Sequence, residues 1–133
     1  MSDASRKSAT AILIFGLCTT LFGADHTKDS LKTVQDNLKA KKAVLIDVRE
    51  KDEWNDGHLS QAAFLPLSRI EAGVSSEELE KIAPKGKIVY LHCAAGGRCV
   101  QAAELLQKSG RELRPLGPGY DDLVEAGFTK AKK

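Results

Sequence analysis

Along the chain, apolar residues fall into short blocks of two kinds of spacing. Leu31, Val34 and Leu38 recur at helical intervals, with Asp29 or Ser30 placed to cap the start and Lys39, Lys41 and Lys42 suited to the carboxyl end. Ala43 to Val48 is a continuous apolar run broken only by Asp47, as expected of a strand covered on both faces. A polar, helix-like turn through Glu53 and Trp54 follows, ending at Gly57-His58. Ala62 to Leu65 then reads as a short strand stopped by Pro66. Ser75-Ser76-Glu77-Glu78 has the form of a capping box and opens a helix to Ile82. After Pro84 and Gly86 comes a second buried strand, Lys87 to Leu91, and then a helix from Val100 to Lys108 with Gly110 as its carboxyl cap. Glu112 to Leu116 predicts an edge strand, and Gly117-Pro118-Gly119 turns into a helix from Tyr120 to Ala126.

Strand and helix alternate, so parallel crossovers follow. The expected fold is α/β, an open, mostly parallel sheet with helices on both faces. Ligand sites in such sheets lie beyond the carboxyl ends of the strands. Asp47 and Cys93 both stand at such ends.

The amino-terminal stretch has a different pattern. Arg6 and Lys7 precede an uncharged segment, Ser8 to Ala24, whose apolar centre runs from Ala11 to Cys18. That centre is short of the roughly 20 apolar residues of a membrane span. A basic start, a short apolar centre and Gly23-Ala24 together predict a secretory signal peptide over residues 1–24, with an uncleaved anchor as the alternative. The domain proper is then residues 25–133, and its only cysteines are Cys93 and Cys99.

Composition narrows the picture further. A chain of 133 residues, 42% hydrophobic and 29% charged, is enough for one core. A net charge of +2 gives no electrostatic case for a nucleic-acid partner, and 5% aromatic content argues against a base-stacking surface. The three histidines are scattered, without metal-ligand spacing, so no metal is expected.

The chemistry concentrates in Cys93-Ala94-Ala95-Gly96-Gly97-Arg98-Cys99, between a strand and a helix. The glycines let the backbone curl so that N–H groups of the loop and of the first helical turn converge on one spot. A helix N-terminus contributes at most about 2 kcal/mol to an anion, which is roughly 1.5 pKa units. With Arg98 and the loop N–H groups added, a thiol falls from about 8.5 into the range of roughly 3.5 to 7.5 seen for reactive cysteines. Cys93 is therefore the candidate nucleophile, against the alternative of a small hydrophobe ending a core strand. His92 should point away from Cys93, because neighbouring strand residues face opposite sides. His58 is expected to fasten its turn, and Trp54 to serve as a core or staple residue.

Three blocks resemble a known family, the single-domain rhodaneses, or thiosulfate sulfurtransferases. The first is Leu45-Ile46-Asp47-Val48-Arg49-Glu50 with Glu53-Trp54 and Gly57-His58-Leu59. The second is Cys93-Ala94-Ala95-Gly96-Gly97-Arg98, which matches C-x-x-G-x-R. The third is Leu116-Gly117-Pro118-Gly119-Tyr120 through Glu125-Ala126-Gly127-Phe128. Together they span roughly residues 29–128. Four residues separate Cys93 from Arg98, one fewer than in the phosphatases and arsenate reductases of similar fold.

The resemblance implies a sulfurtransferase in which Cys93 takes a sulfane sulfur from a donor such as thiosulfate. A thiol, cyanide or a protein then accepts it from the persulfide. Ala94, Ala95, Gly96, Gly97 and Arg98 would form the substrate-binding loop, and no cofactor is needed. Ala94 and Ala95 stand where many members carry a cation, which leaves the donor open. Asp47 and Arg49 either support the loop or merely end the strand. Cys99, where the family usually has serine or threonine, either packs at the helix start or resolves an oxidised Cys93 into a disulfide. The alternative function is a non-turnover binding or redox-sensing module using Cys93 and Cys99. Read with the signal peptide, the protein is expected to be exported, to a bacterial periplasm, and to meet a membrane only if the leader stays uncleaved.

Overall fold

The computed structural model describes residues 24–133. The expected signal peptide and Cys18 fall outside the described residues. Four strands form one all-parallel sheet in the order β2-β1-β3-β4: β1 is Ala43–Asp47, β2 Ala62–Phe64, β3 Ile88–His92 and β4 Glu112–Pro115. The two long apolar runs, β1 and β3, lie at the centre and pair along their full length, Ala43 beside Ile88 and Asp47 beside His92.

The helices are α1 (Leu31–Lys39), α2 (Lys51–Asp56), α3 (Leu67–Ala72), α4 (Ser76–Ile82), α5 (Gly97–Leu105) and α6 (Tyr120–Glu125). Ser30 caps α1 by accepting from the Thr33 N–H, and Ser75 caps α4 by accepting from Glu78. Strand alternation sends side chains to two cores. Ile46, Val48, Val89, Leu91 and Cys93 pack with Leu67, Ile70, Leu79, Ala102 and Ala103 of α3 to α5. Ala43, Leu45 and Tyr90 pack on the opposite face with Val34, Leu38, Leu116 and Leu123, of which all but Leu116 lie in α1 and α6. Truncating one of these buried leucines to alanine typically costs about 2–5 kcal/mol.

The expected elements are present, with shifted edges. Helix α5 starts at Gly97 rather than Val100 and ends at Leu105, and residues 107–109 form a separate single 3₁₀ turn. Strand β3 extends one residue further, to His92. Helix α3 is new. It is six residues long, opens at the same Pro66 that ends β2, and buries only Leu67 and Ile70. Two buried positions are too few for a periodic signal. Among the described residues no helix is long and apolar enough to cross a membrane.

Candidate active site around Cys93

Strand β3 carries Cys93 on the face covered by α5, so the chain must turn back over the sheet edge within three residues. Gly96 makes that turn at φ +89°, and a methyl group there would sit 2.7 Å from the Gly117 carbonyl oxygen. Gly119 is placed just as tightly, since a Cβ on it would meet the Ala94 carbonyl at 1.7 Å. The β4–α6 turn therefore needs glycine to lie against the loop. The Tyr120 N–H donates to the Cys93 carbonyl at 2.9 Å and the Leu116 N–H to Leu91 at 2.8 Å, which ties that turn to the loop. Ala94, Ala95 and Gly97 are exposed on the outer side, while Cys93 and Cys99 are buried beneath.

The loop is built to hold an anionic sulfur. The Gly96 N–H donates to Cys93 Sγ at 3.0 Å. The Cys93 pKa is drawn down to about 4, first by the Cys99 side chain, then, against the cost of burial, by the N–H groups of Cys99, Ala95 and Gly96. Cys93 and burial in turn push the Cys99 thiol far up. Cys99 is thus kept as a thiol, within 3.2 Å of both the Gly96 and Leu116 carbonyls. Both cysteines are free. The packing role expected of Cys99 therefore includes a hydrogen-bonding one.

Below the loop lies a buried polar cluster. Arg49 Nε and Nη2 fork onto both Asp47 oxygens at 2.9–3.1 Å, and Nη2 also reaches the Gly57 carbonyl at 2.7 Å. The guanidinium sits 4.0 Å from the Tyr120 ring centroid. His92 shares this face, with Nε2 3.6 Å from Asp47 Oδ2, and burial lowers its pKa although Asp47 opposes this. Its ring turns away from the Cys93 side chain, as strand alternation requires. Asp47 and Arg49 are therefore more than a strand ending: Arg49, held by Asp47, braces the turn after α2 through the Gly57 carbonyl and packs on the Tyr120 ring.

Arg98 is placed at the loop's far end, but its guanidinium is occupied. Nη1 and Nη2 fork onto Glu53 at 2.6 and 2.8 Å. The Arg98 hydrogen bonds hold the Glu53 carboxyl at about 2. Glu53 ties α2 to the start of α5 and was not recognised as a site residue from the sequence, where nothing marks a partner 45 positions away. His26 was missed for the same reason: its Nε2 lies 2.6 Å from the Gly96 carbonyl. His58 fastens its turn through Nδ1 to the Trp54 carbonyl at 3.0 Å and stacks on the Trp54 ring at 3.6 Å. Among the described residues no three His, Cys, Asp or Glu side chains gather as metal ligands would.

Comparison with known proteins agrees with this geometry. The family model described as rhodanese-like domain matches residues 30–126. The chain belongs to the rhodanese-like family. It is 37% identical over 94 residues to the uncharacterized protein YqhL of Bacillus subtilis, covering 70% of this chain and 68% of that one. It is 36% identical over 77 residues to a putative mitochondrial thiosulfate sulfurtransferase of Schizosaccharomyces pombe, covering 53% of this chain and 54% of the relative. Among solved structures, the human single-domain sulfurtransferase TSTD1 superposes with a TM-score of 0.63 at 22% identity, over 77% of this chain and 97% of that one. At that identity the likeness establishes the fold.

Proposed function

We propose that the protein is a sulfurtransferase working through a Cys93 persulfide. The observation that carries this is the free Cys93 sulfur just past the carboxyl end of β3, accepting from the Gly96 N–H at 3.0 Å in a loop that draws its pKa down to about 4. With thiosulfate as donor, the thiolate attacks the outer sulfur, the S–S bond of thiosulfate breaks, and sulfite leaves with the bonding pair. The persulfide anion inherits the negative charge that the loop already accommodates, so little reorganisation accompanies the step. An acceptor thiolate, cyanide or a protein thiol then takes the outer sulfur and returns Cys93 to thiolate. The sulfurtransferase relative in Schizosaccharomyces pombe supports this reading.

Mass spectrometry of the purified chain before and after thiosulfate tests it. One sulfur atom gained on Cys93 and removed by cyanide is expected, and no gain on a fully reduced sample would refute it. We propose export to a bacterial periplasm on the strength of the amino-terminal pattern. Recovery of the full-length chain in the cytosol with residues 1–24 intact would refute that.

The Cys93–Cys99 contact favours a second reading, a redox sensor. Peroxide would oxidise the Cys93 thiolate to the sulfenic acid, and Cys99 would displace water to form a disulfide. The raised Cys99 thiol slows that second step. Loss of two hydrogens from the chain after peroxide, absent in Cys99→Ser, would support it; a sulfinic Cys93 with Cys99 still free would end it.

A further inference from the structure

The start of α5 differs from that of the other helices. In α1, α2, α3, α4 and α6 the N-cap carbonyl accepts from the N–H four residues on, as from Val34 to Ser30, Trp54 to Glu50 and Leu123 to Gly119. In α5 the N-cap is Gly96, and its carbonyl accepts from His26 Nε2 at 2.6 Å instead, with Cys99 Sγ 3.2 Å away shared between it and the Leu116 carbonyl. A carbonyl only accepts, so Nε2 carries the proton in this contact. His26 arrives from the segment before α1, which is anchored by the Thr27 N–H donating to the Pro115 carbonyl at 2.8 Å, and its ring packs where a Gly117 Cβ would lie within 3.7 Å.

The carbonyl that His26 holds belongs to the peptide joining Gly96 to Gly97, the loop's only peptide flanked by glycine on both sides. Such a peptide rotates with little steric resistance. Gly96 also donates its own N–H, on the peptide before, to Cys93 Sγ at 3.0 Å, so a Gly96 free to rotate at its carbonyl side would loosen that donor. Gly96 cannot be made stiffer by a side chain, because Gly117 O occupies the space. An external clamp is the remaining way to fix it.

We propose that His26 is a positioning residue, whose Nε2–H pins the Gly96 carbonyl so that the N–H of the same residue stays on the Cys93 sulfur. It acts on the thiolate of the sulfurtransferase reading without touching the sulfur itself. The ordered stretch before α1 thereby becomes part of the active-site machinery.

The test reads the Cys93 thiolate, by its ultraviolet absorbance and by iodoacetamide alkylation against pH, and needs no sulfur transfer. His26→Phe keeps a ring against Gly117 and removes the donor. Its Cys93 midpoint should rise by about one pH unit, the effect of one lost hydrogen bond, so that alkylation below both midpoints slows about tenfold. The other charged or titratable groups acting on Cys93 (Cys99, His92 and Arg98) are unchanged in this variant. His26→Gln restores a donor and should restore the midpoint. Gly97→Ala, in open space, restricts rotation of the peptide and should relieve the His26→Phe defect. An unmoved midpoint in His26→Phe, or a shift relieved by neither second change, overturns the proposal. Persulfide formation is measured separately, so a chain that never takes up sulfur would defeat the sulfurtransferase reading and leave the clamp standing.

Discussion

Two carboxylate–arginine forks stand at the same end of the sheet and differ chiefly in burial. In the Asp47–Arg49 pair the side chains are 0% and 6% exposed; in the Glu53–Arg98 pair they are 35% and 32% exposed. The first is committed. Its guanidinium also serves the Gly57 carbonyl and the Tyr120 ring, so it cannot leave without undoing both contacts. The second has a similar fork geometry but water around it, and a solvated pair is worth little net free energy. Identical chemistry thus builds a foundation in one place and a releasable strut in the other. The releasable one carries the arginine nearest the nucleophile's helix.

The largest effect should come from breaking the buried fork. Asp47→Asn leaves the Arg49 charge buried without its partner, and a loss of about 3–5 kcal/mol in unfolding stability is expected from urea titration. A loss below ~1 kcal/mol would show that the two forks are alike after all.

The next effect tests whether either arginine, or instead Cys99, holds the thiolate. Cys99→Ala removes the side chain that lowers Cys93 most, and the Cys93 midpoint should climb from about 4 by one to two pH units in a thiolate titration. The sign for stability follows from the same shift. A thiol depressed in the fold contributes stability that is full above its ordinary value near ~8.5 and drains away as pH falls towards the folded value. In Cys99→Ala this contribution should be smaller and should vanish at a higher pH, as read from unfolding curves across the range. Equal midpoints in the two proteins would assign the thiolate to the loop N–H groups alone.

The smallest effect belongs to the exposed fork. Glu53→Gln should change unfolding stability by less than ~1 kcal/mol. It should nevertheless free the Arg98 charge to meet an anionic donor and lower the apparent KM for thiosulfate by a factor of roughly 2 to 5. A stability loss matching that of Asp47→Asn, or a higher KM, would make Arg98 a structural residue only.

How much of this was readable depends on the distance between partners along the chain. The core strands β1 and β3 showed as apolar runs because both of their faces are covered, and α1 and α4 showed through serines that cap within three residues. The short helix α3 left no periodic trace. Cys93 and its glycines could be placed because strand, turn and helix are contiguous there. The Cys99 contact was open to either reading until the helix start fell at Gly97, which brings Cys99 beneath the loop rather than one turn further along.

The sequence by itself determined the alternation of elements, the parallel sheet and the candidate nucleophile at a strand end, since each rests on hydrophobic period or local turn chemistry. Only the tertiary structure decided what surrounds that nucleophile. Glu53 on Arg98, Arg49 on Tyr120, Gly119 against Ala94 and His26 on Gly96 are contacts between segments up to 71 residues apart. Their geometry is set by how the sheet's carboxyl edge gathers its loops, and no local pattern of residues encodes that convergence.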